Sequence, residues 1–251
     1  MTARALTATA LAAALLTASL AGCARSADPV ERLDKKATHP TGTDSQAHHR
    51  WGLPTPLRPA RPPSPHPRPL TAGPGGLPSV VDHIPTHDKV VFLTYDDGAE
   101  RDPRFVDLVR ELRLPVSMFL TDSVVGPGYG HFARLREVGA NVQNHTLDHQ
   151  SLRGLPYAGQ RAEICGQQDK LRERFGIRPR LFRPPHGIYD TTTLRAAADC
   201  GVSAVVLWTK RPSLRPGDIL LVGPPQVEQT LRLLREVQEK GLRVGRLEDY
   251  L

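Results

Sequence analysis

The chain has 251 residues and a formal net charge of +7 at pH 7, with ten histidines and three cysteines. Its length admits one or two domains. The charge is spread rather than clustered: residues 24–87 carry eight Lys/Arg against five Asp/Glu, and residues 88–251 carry 24 against 21. No basic run interleaves with aromatics, so nucleic acid is not expected as a partner.

The first segment, "MTARALTATALAAALLTASLAGC", has one basic residue, an apolar stretch and a small-residue end, and reads as a signal peptide over residues 1–22. It is too short and too alanine-rich for a membrane span. Its ending, Leu20-Ala21-Gly22-Cys23, resembles the lipobox of bacterial lipoproteins. That resemblance implies lipidation of Cys23, which becomes the mature N-terminus, and membrane attachment outside the cytoplasm through a lipid anchor. An ordinary secretion signal followed by an incidental cysteine is the alternative. Setting Cys23 aside leaves Cys165 and Cys200, an even remainder that permits one disulfide in an oxidising compartment. Two buried free thiols are the other reading.

Residues 23–87 are dense in proline and lack apolar periodicity, which predicts a linker of extended polyproline character. At ~3.1 Å per residue such a tether reaches on the order of 150–200 Å. The folded domain is expected over residues 88–251.

From Asp88 onward strands alternate with helices. "KVVFLTY" reads as a buried strand, and "DPRFVDLVRELR" sets Phe105, Leu108, Val109 and Leu112 on one helical face. "LPVSMFLT" is a strand, "HFARLREVG" a short helix stopped by Gly139, and "ANVQNHT" a strand. The long helix "YAGQRAEICGQQDKLRERFG" follows, then "RLFRPP", "TTTLRAAADCG" and "VSAVVLW" as strand, helix and strand. "DILLV", "QVEQTLRLLREVQEKG" and "LRVGRL" complete the pattern. Such alternation implies an α/β fold of parallel βα units around one core.

In parallel βα folds chemistry gathers where strands end. Four polar clusters fall there: Asp96/Asp97, Asn144 to His149, Arg183 to Gly187, and Trp208/Thr209. "HTLDH" spaces His145 and His149 four apart, so one helical turn would present both imidazoles together. A strand-end carboxylate added to them makes His₂Asp, three protein ligands with a coordination position left open, as in catalytic rather than structural metal sites. A divalent cation also accounts for two adjacent acids, because like charges otherwise resist joint ionisation. One carboxylate ligates while its neighbour takes a proton from water.

TYDDG (94–98), NHTLDH (144–149) and RPPHG (183–187) together resemble, in order and spacing, the first three motifs of the polysaccharide deacetylase family, also called the NodB-homology or carbohydrate esterase 4 family. The resemblance covers about residues 88–251. It implies a distorted (β/α) barrel of about seven parallel strands. It further implies removal of N-acetyl, sometimes O-acetyl, groups from chitin, peptidoglycan or related glycans with one divalent metal, zinc foremost. By position, Asp96 is then the general base, with Asp97, His145 and His149 the metal ligands. Arg183 holds the base, and the backbone amide at His186 serves the oxyanion. Tyrosine is usual at His186, but only its N–H is needed for that role.

Two departures stand against this. "LWTKRPSLRPGD" keeps Trp208 but lacks the aspartates of the fourth motif, and "GDILLVGPP" has Gly223 where the fifth motif places the general-acid histidine. Loss of a general acid typically slows a reaction about 10²–10⁴-fold. The sequence therefore supports an acetylated-glycan deacetylase with a reduced or substituted acid. A protein that binds metal and glycan without turnover is the alternative. A phosphatase using the two acids would leave HTLDH and RPPHG without a role.

Overall fold

The computed structural model describes residues 46–61, 63, 73–210 and 213–251. Cys23, the signal segment and most of the tether lie outside the described residues. Among the described residues eight strands form one parallel sheet: β1 (Ser79–Val81), β2 (Val90–Asp97), β3 (Ser117–Leu120), β4 (Asn141–Asn144), β5 (Leu181–Phe182), β6 (Ala204–Val206), β7 (Ile219–Leu221) and β8 (Arg243–Val244). Their order is β1-β6-β5-β4-β3-β2-β7, with β8 paired to β2. This is the distorted barrel of seven parallel strands expected from the sequence, carrying one extra short strand.

Alternation along β2 explains the layering, since successive side chains of a strand point to opposite faces. Val91, Leu93 and Tyr95 pack outward against helices α2 (Pro103–Leu112) and α7 (Gln226–Glu239). Phe92 points inward and joins Phe119, Leu181, Val206, Ile219 and Tyr250 in the barrel interior. Thr94 and Asp96 follow Phe92 at the same period of two, which puts a hydroxyl and a carboxylate inside the barrel's C-terminal end.

The helices form where the sequence starts and stops them. In α2, Asp102 accepts the Arg104 N–H at 2.9 Å, Pro103 occupies the first turn, and Arg113 ends it at φ 48°. Phe105, Leu108, Val109 and Leu112 are all buried, as their spacing requires. Helix α6 (Thr191–Asp199) opens with a capping box between Asp190 and Thr193. Helix α5 (Tyr157–Phe175) lies against α6, and Cys165 of α5 is bonded to Cys200 at the end of α6, Cα–Cα 5.0 Å.

The linker expectation needs correcting at its C-terminal part. The short helix α1 (Ala47–Arg50) packs on the barrel, with the Trp51 indole N–H donating to Glu111 at 2.8 Å and Leu53 buried beside α2. Strand β1 and Ile84 are part of the core. The domain therefore takes in residues well before Asp88. A few isolated apolar side chains cannot build a core, but they can dock onto one already made. Proline tolerates the extended path between them.

Candidate active site and metal centre

The site forms at the C-terminal ends of β2, β4 and β5. At the end of β2, Asp97 and Gly98 both take left-handed backbone, φ 66° and 86°. A Cβ at Gly98 would stand 2.6 Å from Val125 Cγ2, so only glycine fits that turn. The turn breaks the alternation, and the two neighbouring acids acquire different nearest partners, with His145 Nε2 also 3.9 Å from Asp96 Oδ2.

Asp96 meets Arg183. The Arg183 side chain is fully buried and donates to Asp96 Oδ1 at 2.6 Å, to Thr94 Oγ1 at 3.0 Å, and to the backbone carbonyls of Val206 and Leu207 at 3.0 Å each. Its guanidinium lies 4.1 Å over the Phe119 ring. Burial pushes the guanidinium downward, opposed by Asp96, yet a guanidinium stays charged. Arg183 thus plugs the barrel and fixes a carboxylate that keeps a face toward solvent.

Asp97 meets two imidazoles. Its Oδ1 lies 3.4 Å from His145 Nε2 and 3.2 Å from His149 Nε2, and these three side chains bring their ligand atoms within 4.8 Å of one another. Nδ1 of His145 is engaged with the Arg183 carbonyl at 2.7 Å, so Nε2 is the nitrogen left for a metal. Asp97 Oδ1 is buried without a hydrogen-bond partner, an orphan that a cation satisfies. The His145 imidazole facing it holds the Asp97 carboxyl below the usual carboxylate range, against burial that pushes the other way. Burial, with His145 adding to it, pushes the His149 imidazole down and favours its neutral, ligating form. A carboxylate and two imidazoles are a donor set suited to zinc and related divalent ions.

The histidines do not share a helical turn, which corrects the sequence reading. Residues 145–149 form a loop in which Thr146 and His149 take φ 72° and 57°. Asn144 Oδ1 accepts the Thr146 N–H at 2.9 Å, and Thr146 Oγ1 accepts the His149 N–H at 3.1 Å. Such local side-chain bonds compete with the helix and win.

The RPPHG segment forms a 3-10 turn, Pro185–Gly187, with His186 at φ 59°. The exposed His186 ring lies edge-on to His149, centroids 4.8 Å apart. A Cβ at Gly187 would come within 3.0 Å of the Trp208 ring, so the turn rests directly on that indole. Gly223 lies beyond the end of β7: Leu221 is in register with Thr94, and Val222 donates to the Thr94 carbonyl at 2.9 Å. Continuing that register brings Gly223 level with Asp96. The glycine is exposed, and a Cβ there meets nothing within 4 Å.

Sequence reasoning missed Thr94 as a partner of Arg183, although its position two residues before Asp96 placed it on the same face. It also missed Glu163, whose carboxylate accepts the Asp148 N–H at 3.0 Å from a helix with no motif of its own.

A parallel barrel with a His₂Asp cluster that could hold a metal ion, and an arginine-held carboxylate beside it, is the arrangement of a candidate hydrolytic site. The chain belongs to the polysaccharide deacetylase family, whose sequence model matches residues 83–205. A Streptomyces coelicolor protein named only as uncharacterized, SCO4760, is 63% identical over 194 residues, 70% of this chain and 78% of that one. The peptidoglycan-N-acetylglucosamine deacetylase of Bacillus cereus is 23% identical over 199 residues, 67% of this chain and 91% of its own. Among solved structures, wild-type BA3943 of Bacillus anthracis, described as a carbohydrate esterase family 4 pseudoenzyme, aligns over 69% of each chain with 21% identity and a TM-score of 0.62. A BA3943 mutant with restored enzymatic activity gives the same score.

Proposed function

We propose that the protein removes acetyl groups from an N-acetylglucosamine-type polysaccharide, with one divalent ion, zinc foremost, held by Asp97, His145 and His149. The carrying observation is the separation of the two neighbouring acids, Asp96 onto Arg183 and Asp97 onto the imidazoles. When bound, the ion polarises the acetyl carbonyl and makes water a better nucleophile at neutral pH. Asp96 accepts the proton of the attacking water, and the Arg183 contact holds its carboxylate in place. The His186 amide, turned by its left-handed φ, donates to the developing oxyanion. Trp208 floors the turn that carries it. Cys23 is proposed as the lipidated N-terminus, placing the domain outside the membrane; a Cys23→Ser protein released from the membrane fraction would agree.

The test is acetate release from acetylated chito-oligosaccharide and from peptidoglycan by zinc- or cobalt-loaded protein. Turnover is expected from the wild type, and Asp96→Asn should lower it by about 10²–10⁴-fold. No acetate from either substrate under any metal loading would sink the proposal.

A second reading, glycan binding without turnover, draws on Gly223, which supplies no proton to a leaving amine. The space around Gly223 accepts a side chain, so Gly223→His should raise turnover if a missing acid limits the rate. An inactive wild type and an inactive Gly223→His protein that both retain glycan would favour the binding reading.

A further inference from the structure

The loop that carries His145 and His149 is strained, and something must hold it. Thr146 and His149 are non-glycine residues at φ 72° and 57°, backbone that persists only where the surroundings hold it. Helix α5 supplies the restraint from behind. The Leu147 N–H donates to the Glu163 carbonyl at 3.2 Å, the Asp148 N–H to Glu163 Oε2 at 3.0 Å, and Asn144 Nδ2 to the Ile164 carbonyl at 2.9 Å. One turn further on, a Cβ at Gly166 would stand 2.4 Å from Leu147 Cδ1, so the loop sits directly against the helix.

Glu163 itself is the puzzle. It is buried, 7% exposed, and among the described residues no cation lies within ion-pair distance of it. Burying a carboxylate without a cation is costly. Its fixed task is to accept the amide of Asp148, the residue just before His149.

We infer that Glu163 is a positioning residue for the metal ligands: through both its carbonyl and its carboxylate it clamps the 147–148 backbone, so that His149 faces Asp97 and His145 before an ion arrives. This rests on the metal reading of those three residues and deepens it. Pre-setting the loop removes an ordering cost from ion binding, as outer partners of metal ligands commonly do.

The experiment compares Glu163→Gln, which retains an acceptor oxygen, with Glu163→Met, similar in length and without one. Zinc affinity is measured by chelator competition, and the cobalt-loaded absorption spectrum reports ligand geometry. Chemical denaturation of metal-free protein provides the stability baseline. Glu163→Met should bind zinc about 10–100-fold more weakly than the wild type, with an altered cobalt spectrum, while Glu163→Gln restores both. Wild-type affinity in Glu163→Met, or an equal loss in both variants, overturns the inference. Should the methionine variant fail to fold, amide exchange of Asp148 in wild type and Glu163→Gln decides: protection in both supports the clamp, and free-loop exchange overturns it. Acetate release plays no part in these readouts. A protein that binds zinc in this pattern and turns over no glycan leaves the clamp standing while removing the deacetylase reading.

Discussion

Both ends of the barrel take a carboxylate out of water, and they do so by opposite means. At the C-terminal end Asp96 is held by the buried guanidinium of Arg183, and the Asp97, His145 and His149 cluster, which could hold a metal ion, lies beside it. At the N-terminal end Glu248, from the closing 3-10 turn Leu247–Tyr250, reaches Ser117 at 2.9 Å, Asn141 at 3.0 Å and Gln143 at 2.9 Å. Those donors are neutral, and burial drives the Glu248 carboxyl upward, toward its protonated form. One end thus sets a buried cation against its acid. The other tolerates protonation, because its acid only ties strands together. The contrast separates a charge-paired carboxylate from one held by neutral donors, among residues of one type.

The largest expected effect comes from breaking the charged end. Arg183→Met removes a fully buried cation that pairs with Asp96 and donates to Thr94 and two backbone carbonyls, which should destabilise the fold by about 3–5 kcal/mol. Urea denaturation of metal-free protein measures it; a loss as small as that of an exposed pair would erase the contrast. Next comes the neutral end. Gln143→Met removes a donor to Glu248 and the acceptor for the Leu181 N–H, and should cost about 1–3 kcal/mol.

Smallest, and most specific, is the pH response of Glu248. Because its folded pKa is raised, the native state holds a proton that the unfolded chain has lost above about pH 4.3. That contribution is full below the unfolded value and is lost as pH rises through the folded one. Glu248→Gln, with the Asn141 amide free to turn over, should flatten the decline in denaturation free energy over weakly acidic pH. An unchanged slope would mean that Glu248 is ionised throughout and the two ends are alike.

The regular part of the fold was legible because short apolar strand runs alternate with helices, of which Pro103–Leu112 keeps a clear 3.6 period. The site residues Asp96, Asp97, His145, His149 and Arg183 were legible because each ends a strand or opens the loop after one. What escaped notice depended on tertiary partners. The HTLDH loop keeps helical spacing, but Asn144 and Thr146 redirect its amides. Trp51, Leu53 and Ile84 lie among prolines with no period, and their burial depends on a surface made by distant segments. Glu163 and Glu248 read locally as ordinary polar residues of a helix and of a chain end.

The position of β1 has a consequence for how the chain assembles. Among the described residues it is the first strand made, and it stands at one end of the sheet, yet its partner β6 comes only after four intervening strands have been synthesised. Pairs so distant in sequence form slowly, since a long loop must close before they gain anything. During vectorial synthesis β1 is therefore the earliest strand to emerge and among the last to find its place. With three residues, Ser79–Val81, it offers little template for mispairing during that wait.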